Sequence, residues 1–421
     1  MANESYLIQS DGSKRRLSGY RFSASKLAGQ TSAEIKYNTK QLPPKVDLRP
    51  YMTPVEMQGQ TNSCVANAVA GAYEYLVKQH RGDDAYDVSR LFIYYNAREI
   101  DGEIADHGSY VADAIESLRQ YGACSEQTWP FDEEMVNEEP SEDAYAEGEQ
   151  FLVEDVKLVP LKLEAWKSCL AEGYPIIFGI SLYNSFDRQK QKGVIPMPTP
   201  NEASREAHGG HSMLCVGYSD KDRVFIVRNS WGEDWGDEGY CYISYDYLMN
   251  PQLNDGDSWI IRRLENVDFD ESNWGDNESV LEDYDTELAN MSDEQYYQML
   301  DAMGDYPLEC RIGLIFLHAA GADGDITEEE IEEIAGYMNH TLELLGSDLD
   351  TELLLENCLN DLEDEELLNE SIDLLNEFLS KNMLATIVND LYDVAGIDEL
   401  DENEENFVND IMEAWQIEFE E

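Results

Sequence analysis

Positive charge is scarce in this 421-residue chain: 28 Lys and Arg stand against 89 Asp and Glu, a formal net charge of -61. A field of that sign repels phosphate backbones, so nucleic acid is excluded as a partner. No apolar run approaches the roughly 18 residues that a membrane span needs, which excludes a spanning helix, and "MANESYLIQSDGSKRR" lacks the charged-then-apolar order of a secretory signal. The seven cysteines (64, 124, 169, 215, 241, 310 and 358) are odd in number, form no CxxC pair and are too sparse for a disulfide scaffold. Together these absences predict a cytoplasmic protein with mostly free thiols.

What is present allows a large core, because 42% of the residues are apolar and 10% aromatic. The length implies two or three domains. Charge divides the chain. Residues 1–50 carry 9 basic against 4 acidic residues, whereas residues 265–421 carry only Arg311 and Lys381 against 48 acids. The jump near 265 marks a domain boundary.

Residues 1–41 are polar and basic without a sustained period. They read as a flexible arm, with docking across a cleft or onto the acidic domain as the alternative. From 42 to 264 helix and strand patterns mix. Val65, Ala68, Val69, Ala72, Tyr73 and Leu76 repeat at helical spacing after Asn62 and Ser63, which puts Cys64 in the first turn of a helix. "HSMLCVGY", "RVFIVRNS" and "GYCYISY" read as strands, the first two joined by "SDKD". Residues 265–292 read as an acidic linker and 293–421 as an acidic all-helical domain. Ser292 with Gln295, Thr327 with Glu330 and Asp401 with Glu404 resemble capping boxes, and the stretches from Ala320 and Ala395 echo each other weakly.

At a helix start, backbone N–H groups and the macrodipole favour a thiolate, so Cys64 is a candidate nucleophile as well as a core filler. Gln58 lies upstream on a turn, where its amide could share an oxyanion with the Cys64 N–H. His211, at a strand start, is a candidate base. Asn229 on the next strand could orient its imidazole. His208 is a rival base in a Pro/Gly-rich loop, and Gly209 and Gly210 would let substrate backbone pass close to His211. Cys124, Cys169, Cys215 and Cys241 lack such a polar setting and read as structural.

"PPKVDLRPYMTPVEMQGQTNSC", "GGHSMLCVGY" and "VRNSWGEDWGDEGYCYISYDYL" together resemble the papain-like cysteine peptidases over residues 42–264. "CSEQTWPFD" adds a likeness to bacterial members without a long propeptide. The resemblance implies an α+β two-lobed fold, a helical lobe beside an antiparallel barrel-like lobe. It also implies peptide hydrolysis with Cys64 as nucleophile, His211 as acid and base, Asn229 as orienting amide, Gln58 as oxyanion donor and Trp231 as a shield over the Asn–His hydrogen bond. No cofactor is required by this chemistry. Thr61 and Val65 depart from the family's usual residues beside the nucleophile.

The segment around "AGADGDITEEE" does not fit a calcium-binding loop, because Ala319 and Gly321 would fill its first and third ligand positions. It is more similar to TerB-like helical domains. That resemblance implies an acidic surface with Asp323, Asp325 and Glu330 as candidate ligands of a divalent cation, and the bland alternative is a solvated acidic face. Two functional readings follow. One is a cysteine peptidase acting on peptides or proteins, with an appended regulatory or docking domain. The other is a catalytically silent papain-fold scaffold whose acidic domain binds divalent cations or a basic protein. The acidity also fits halophilic adaptation.

Overall fold

The apolar period that begins at Val65 forms an 18-residue helix, α1 (Cys64–Arg81), with α2 (Arg90–Asp101) and α3 (Val111–Gln120) packed beside it. At the N-terminus of α2 Ser89 accepts the Phe92 N–H, and Gly102 ends the helix at φ 87°. The computed structural model describes residues 6–27, 31–32, 39–81, 87–149, 153, 155–203, 209–262, 273–321, 326, 328–395 and 402–417.

The second lobe is built on strands β3 (Lys45–Asp47), β4 (Asp155–Leu158), β5 (Ile176–Leu182), β6 (Val194–Ile195), β7 (Gly209–Ser219), β8 (Val224–Arg228), β9 (Tyr240–Ser244), β10 (Ser258–Arg262) and β11 (Trp274–Gly275). They make one nine-stranded sheet in the order β4-β10-β5-β7-β8-β9-β6, with β3 on β7 and β11 on β3. Only β6 with β9 is parallel. Helix α4 (Leu163–Ala171) covers the sheet and wedges Trp166 against Phe178 and Phe225, with ring centroids 5.3 and 5.1 Å away.

A register shift between Cys215 and Gly217 has a direct consequence for the site. Tyr218 faces Phe225, but beyond the shift Leu214 faces Arg228. Continued by one residue, that register sets Met213 opposite Asn229. His211, two residues from Met213, therefore shares a face with Asn229. Without the bulge the two would point to opposite faces.

Of the two readings of the N-terminal arm, the described residues follow the docked one, which corrects the flexible arm. β1 (Tyr6–Ile8) and β2 (Lys14–Arg16) pair as a hairpin, and Leu17, Gly19 and Tyr20 are buried. The arm lies down because it supplies apolar residues and backbone bonds to the cleft, in addition to its charge. The expected linker also divides between its neighbours. β11 pairs with β3, the Val280 N–H donates to Asp222 Oδ2 at 2.8 Å, and Leu288 is buried in the helical core. Residues 263–272 lie outside the described residues.

Helices α5 (Asp293–Met303), α6 (Leu308–Ala320), α7 (Glu328–Leu345), α8 (Thr351–Cys358), α9 (Glu365–Phe378), α10 (Lys381–Ala395) and α11 (Glu402–Trp415) pack around Phe316, Met338, Leu384 and Trp415. α5 opens on the Ser292–Gln295 capping box; Thr327 and Asp401 lie outside the described residues. The two basic residues of this region both tie helices together. Buried Arg311 donates to Ser371 Oγ at 3.2 Å and to the Met303 carbonyl at 3.1 Å, and Lys381 donates to the Trp415 carbonyl at 2.5 Å, closing the C-terminus of α11. The apolar cores of the sheet-bearing and helical parts stay separate.

Candidate active site

Cys64 is the first residue of α1, and the chain before it is fixed by side chains. Asn62 N–H donates to Asp106 Oδ1 at 2.8 Å and Asn62 Nδ2 to the Asp106 carbonyl at 2.7 Å. The Ser63 hydroxyl bonds to Thr61 Oγ1 at 2.7 Å and accepts from Asn67 Nδ2 at 3.0 Å. The helix's first N–H groups are thus left to the sulfur. Burial pushes the Cys64 thiol up to about 12, against the backbone N–H groups of Ser212, Val65 and Cys64, which favour the thiolate. The contact with Ser212 puts the sulfur beside the strand that carries His211.

His211 is 1% exposed, and its Nε2 lies 2.8 Å from Asn229 Oδ1. Because that amide oxygen only accepts, Nε2 carries the proton and Nδ1 is left as the base. The same oxygen accepts the Ser230 N–H at 2.8 Å, which holds the amide in place. Trp231 packs on the imidazole with ring centroids 5.0 Å apart. Burial holds His211 down at about 4, against the Asn229 hydrogen bond, and the Arg15 guanidinium adds to the fall.

Gln58 is tied to the same strand end. Its N–H donates to the Ser230 carbonyl at 2.8 Å, its Oε1 accepts the Ser230 hydroxyl at 2.7 Å, and its Nε2 donates to the Thr61 carbonyl at 2.9 Å. An amide nitrogen has two hydrogens, so one remains for an oxyanion. Behind the site, a buried polar group joins the lobes: Glu74 of α1 accepts from Thr53 Oγ1 at 2.6 Å and from the Val88 N–H at 2.8 Å, while Arg228 of β8 donates to Thr53 Oγ1 at 3.0 Å.

The arm runs through the cleft. A Cβ on Gly19 would stand 2.5 Å from Cys64 Sγ and 3.0 Å from the Asn62 carbonyl. The Gly19 carbonyl accepts the Ser109 N–H at 3.0 Å, the Arg21 N–H donates to the Ser109 carbonyl at 3.0 Å, and the Tyr20 N–H donates to the Gly210 carbonyl at 3.3 Å. Gly108, at φ 78°, admits this backbone because a Cβ there would lie 2.2 Å from the Ser18 carbonyl. Gly209 and Gly210 are met by Leu17 and Tyr20, whose backbone oxygens would be 2.3 and 2.6 Å from a Cβ. The Tyr20 ring covers Gly179 beside Asp257, whose carboxyl burial raises to about 6. Arg15 lies over the Trp231 ring at 4.7 Å.

The sequence reading missed Ser109, Asp106, Arg15 and Asp257. Only "HGSY", a glycine beside polar residues, hints at the first. Cys124, Cys169, Cys215 and Cys241 are buried, and none of the seven cysteines is in a disulfide. His208, Asp323 and Asp325 lie outside the described residues, as does the Glu330 side chain. Among the described residues no three His, Cys, Asp or Glu side chains converge as metal ligands, and no helix is long and apolar enough to cross a membrane.

Residues 42–255 match the family described as papain family cysteine protease. An uncharacterized peptidase C1-like protein, L477, of Acanthamoeba polyphaga mimivirus is 35% identical over 221 residues, 49% of this chain and 69% of that protein. Peptidase 1 of Dermatophagoides farinae is 28% identical over 224 residues, 52% of this chain and 65% of that protein. Among solved structures, xylellain, a cysteine protease from Xylella fastidiosa, matches with a TM-score of 0.54 and 32% identity, covering 63% of this chain and all of that one. With a helix-tip cysteine and an Asn-held histidine in one cleft, and a family match over residues 42–255, this chain belongs to the papain family of cysteine proteases.

Proposed function

We propose that the chain hydrolyses peptide bonds with Cys64 as nucleophile, and that the arm-filled cleft is its closed, inhibited form. The observation that carries the chemistry is the His211–Asn229 hydrogen bond of 2.8 Å, on the strand whose Ser212 N–H meets the Cys64 sulfur. Proton transfer from Cys64 to His211 Nδ1 makes the thiolate–imidazolium pair. The thiolate bonds to the substrate carbonyl carbon, and the oxyanion takes hydrogen bonds from the Cys64 N–H and Gln58 Nε2. His211 gives its proton to the leaving amine as the C–N bond breaks. Water, deprotonated by His211, then cleaves the thioester and regenerates the thiol.

The inhibited form is supported by the contact of Gly19 with Cys64 and by the tie of the Gly19 carbonyl to Ser109, away from the oxyanion donors. Burial under the arm also favours the neutral forms of Cys64 and His211. The helical domain acts as a regulatory or docking domain on this reading; its TerB-like character and cation binding at Asp323, Asp325 and Glu330 are a separate proposal, tested by calorimetry with divalent ions. The test of the peptidase is a Gly19→Leu chain mixed with a thiol-directed peptide epoxide and a fluorogenic peptide. One adduct on intact mass, lost in Cys64→Ala, and turnover of the peptide are expected. No adduct and no turnover would leave the silent scaffold as the answer.

A further inference from the structure

The tip of the β1–β2 hairpin is held from two sides. On the sheet-bearing side the Ser10 N–H donates to Asp187 Oδ2 at 3.1 Å, the Ser10 hydroxyl donates to the Asp187 carbonyl at 2.9 Å, and the Ile8 N–H donates to Asn184 Oδ1 at 3.1 Å. On the other side the helical domain closes over the same tip. Asn357 Nδ2, at the end of α8, donates to the Asp11 carbonyl at 2.9 Å, and the Cys310 thiol of α6 donates to the Ser10 carbonyl at 3.6 Å. Gly12, at φ 79°, leaves little room for a side chain, since a Cβ would stand 3.0 Å from Cys310 Sγ and 3.2 Å from Asn357 Cβ. The turn is fitted to the helical surface.

The segment that holds the tip also anchors the helical domain. Asn184 Nδ2 donates to Asp305 Oδ1 at 2.9 Å, so one amide bridges arm and domain. Arg188, 7% exposed, donates to the Gly304 carbonyl, and its own carbonyl accepts the Tyr296 hydroxyl at 2.5 Å. Around this lie ion pairs whose acids are exposed, Lys190–Asp293 at 3.0 Å and Lys192–Asp348 at 2.7 Å. With separate apolar cores, the contact is a seam of hydrogen bonds around buried Arg188 with exposed ion pairs at its edge, a kind of interface across which domains can move.

We infer that the helical domain is the keeper of the arm: its grip on residues 10–12 holds Gly19 over Cys64, and its release from segment 184–188 opens the cleft. The inference rests on the reading of the arm as inhibitory. Between grip and cleft the chain has no slack, because β2 is paired, Arg15 lies on Trp231 and Leu17 is 1% exposed. A loosened tip is therefore felt at Gly19.

The test compares labelling of Cys64 by a thiol-directed peptide epoxide, followed by intact mass, in the full chain and in three full-length variants. Asn357→Ala removes one grip, Arg188→Ala removes the buried side-chain bond to the Gly304 carbonyl and so loosens the domain on the sheet-bearing part, and Gly19→Leu displaces the arm directly. Labelling should quicken about fivefold in Asn357→Ala and more than about tenfold in Arg188→Ala, the scale of one neutral hydrogen bond and of one made by a charged group. Amide exchange at Ile8 and Ser10 should quicken with it. Fast labelling of Gly19→Leu with both seam variants at the wild-type rate would overturn the keeper and leave the inhibitory arm standing. A wild-type rate in Gly19→Leu as well would overturn both. If Arg188→Ala fails to fold, Asn357→Ala decides, since its half-buried side chain leaves the helical core untouched.

Discussion

Gly19 covers Cys64 so closely that a single added carbon would lie 2.5 Å from the sulfur. Its other neighbour at that point is the Asn62 carbonyl, backbone that Asp106 holds from two directions. The first prediction follows from this fit. Gly19→Leu cannot be accommodated by rotation of a neighbour, so the arm must lift. Peptide hydrolysis by the unprocessed chain should rise by about tenfold or more, the effect of losing well over 1 kcal/mol of docking. Initial rates on a fluorogenic peptide measure this; an unchanged or lower rate with intact folding would contradict it.

Closure should have a pH window. His211 sits at about 4 in the closed form against an ordinary 6.5, so as pH falls from 6.5 towards 4 an opened form takes up a proton that the closed form refuses, and closure weakens. Cys64 sits at about 12 against 9.0, so closure weakens again as pH rises above 9. The ratio of Cys64 alkylation rates, Gly19→Leu over wild type, should be largest between pH 6.5 and 9 and shrink on both sides. A ratio flat with pH would contradict the burial of the pair.

In the Gly19→Leu background the oxyanion donor can be isolated. Gln58→Ala should lower kcat about 10²–10³-fold with little change in KM, because the bond forms only to the charged oxygen. Asn229→Ala should act through His211, shifting the acid limb of the kcat/KM profile downwards. Steady-state kinetics from pH 4 to 9 would separate the two effects, and an equal loss in kcat and gain in KM for Gln58→Ala would remove it from that role.

Glu309, 8% exposed at the seam, is raised by burial to about 7, with Asp187 adding to the rise and Arg188 opposing it. A carboxyl raised on folding stabilises below its unfolded value, and that stability is lost as pH rises through the folded one, here from about 4.5 to 7. Glu309→Gln should therefore raise Tm at pH 8 and leave it nearly unchanged at pH 4.5, a difference of up to about 3 kcal/mol. Scanning calorimetry of both chains at the two pH values checks it.

The papain-like part was legible because its signals are local. A polar turn before an apolar period put Cys64 at a helix tip, and alternation put His211 and Asn229 on adjacent strands. Their sharing a face was not legible, since it depends on a one-residue bulge that leaves no mark in a pattern of period two. The docked arm was legible only as one of two readings for a similar reason: at Gly19 the contacts with Ser109 run through backbone atoms, and backbone contacts carry no sequence signature. The seam was hidden because Asn184, Asp187 and Arg188 are ordinary loop residues until a partner surface covers them. Charge marked a change near 265 but carried no sign of how the 265–292 segment packs, where a few residues such as Trp274 and Leu288 suffice to join its described parts to a core.

The arm, the cleft and the domain that grips the hairpin are parts of one covalent chain, so shutting the site is a first-order event. Dilution does not reverse it. A free peptide entering the cleft would compete with a tethered occupant at an effective concentration on the order of millimolar, so a scarce substrate displaces the arm only where it binds far more tightly.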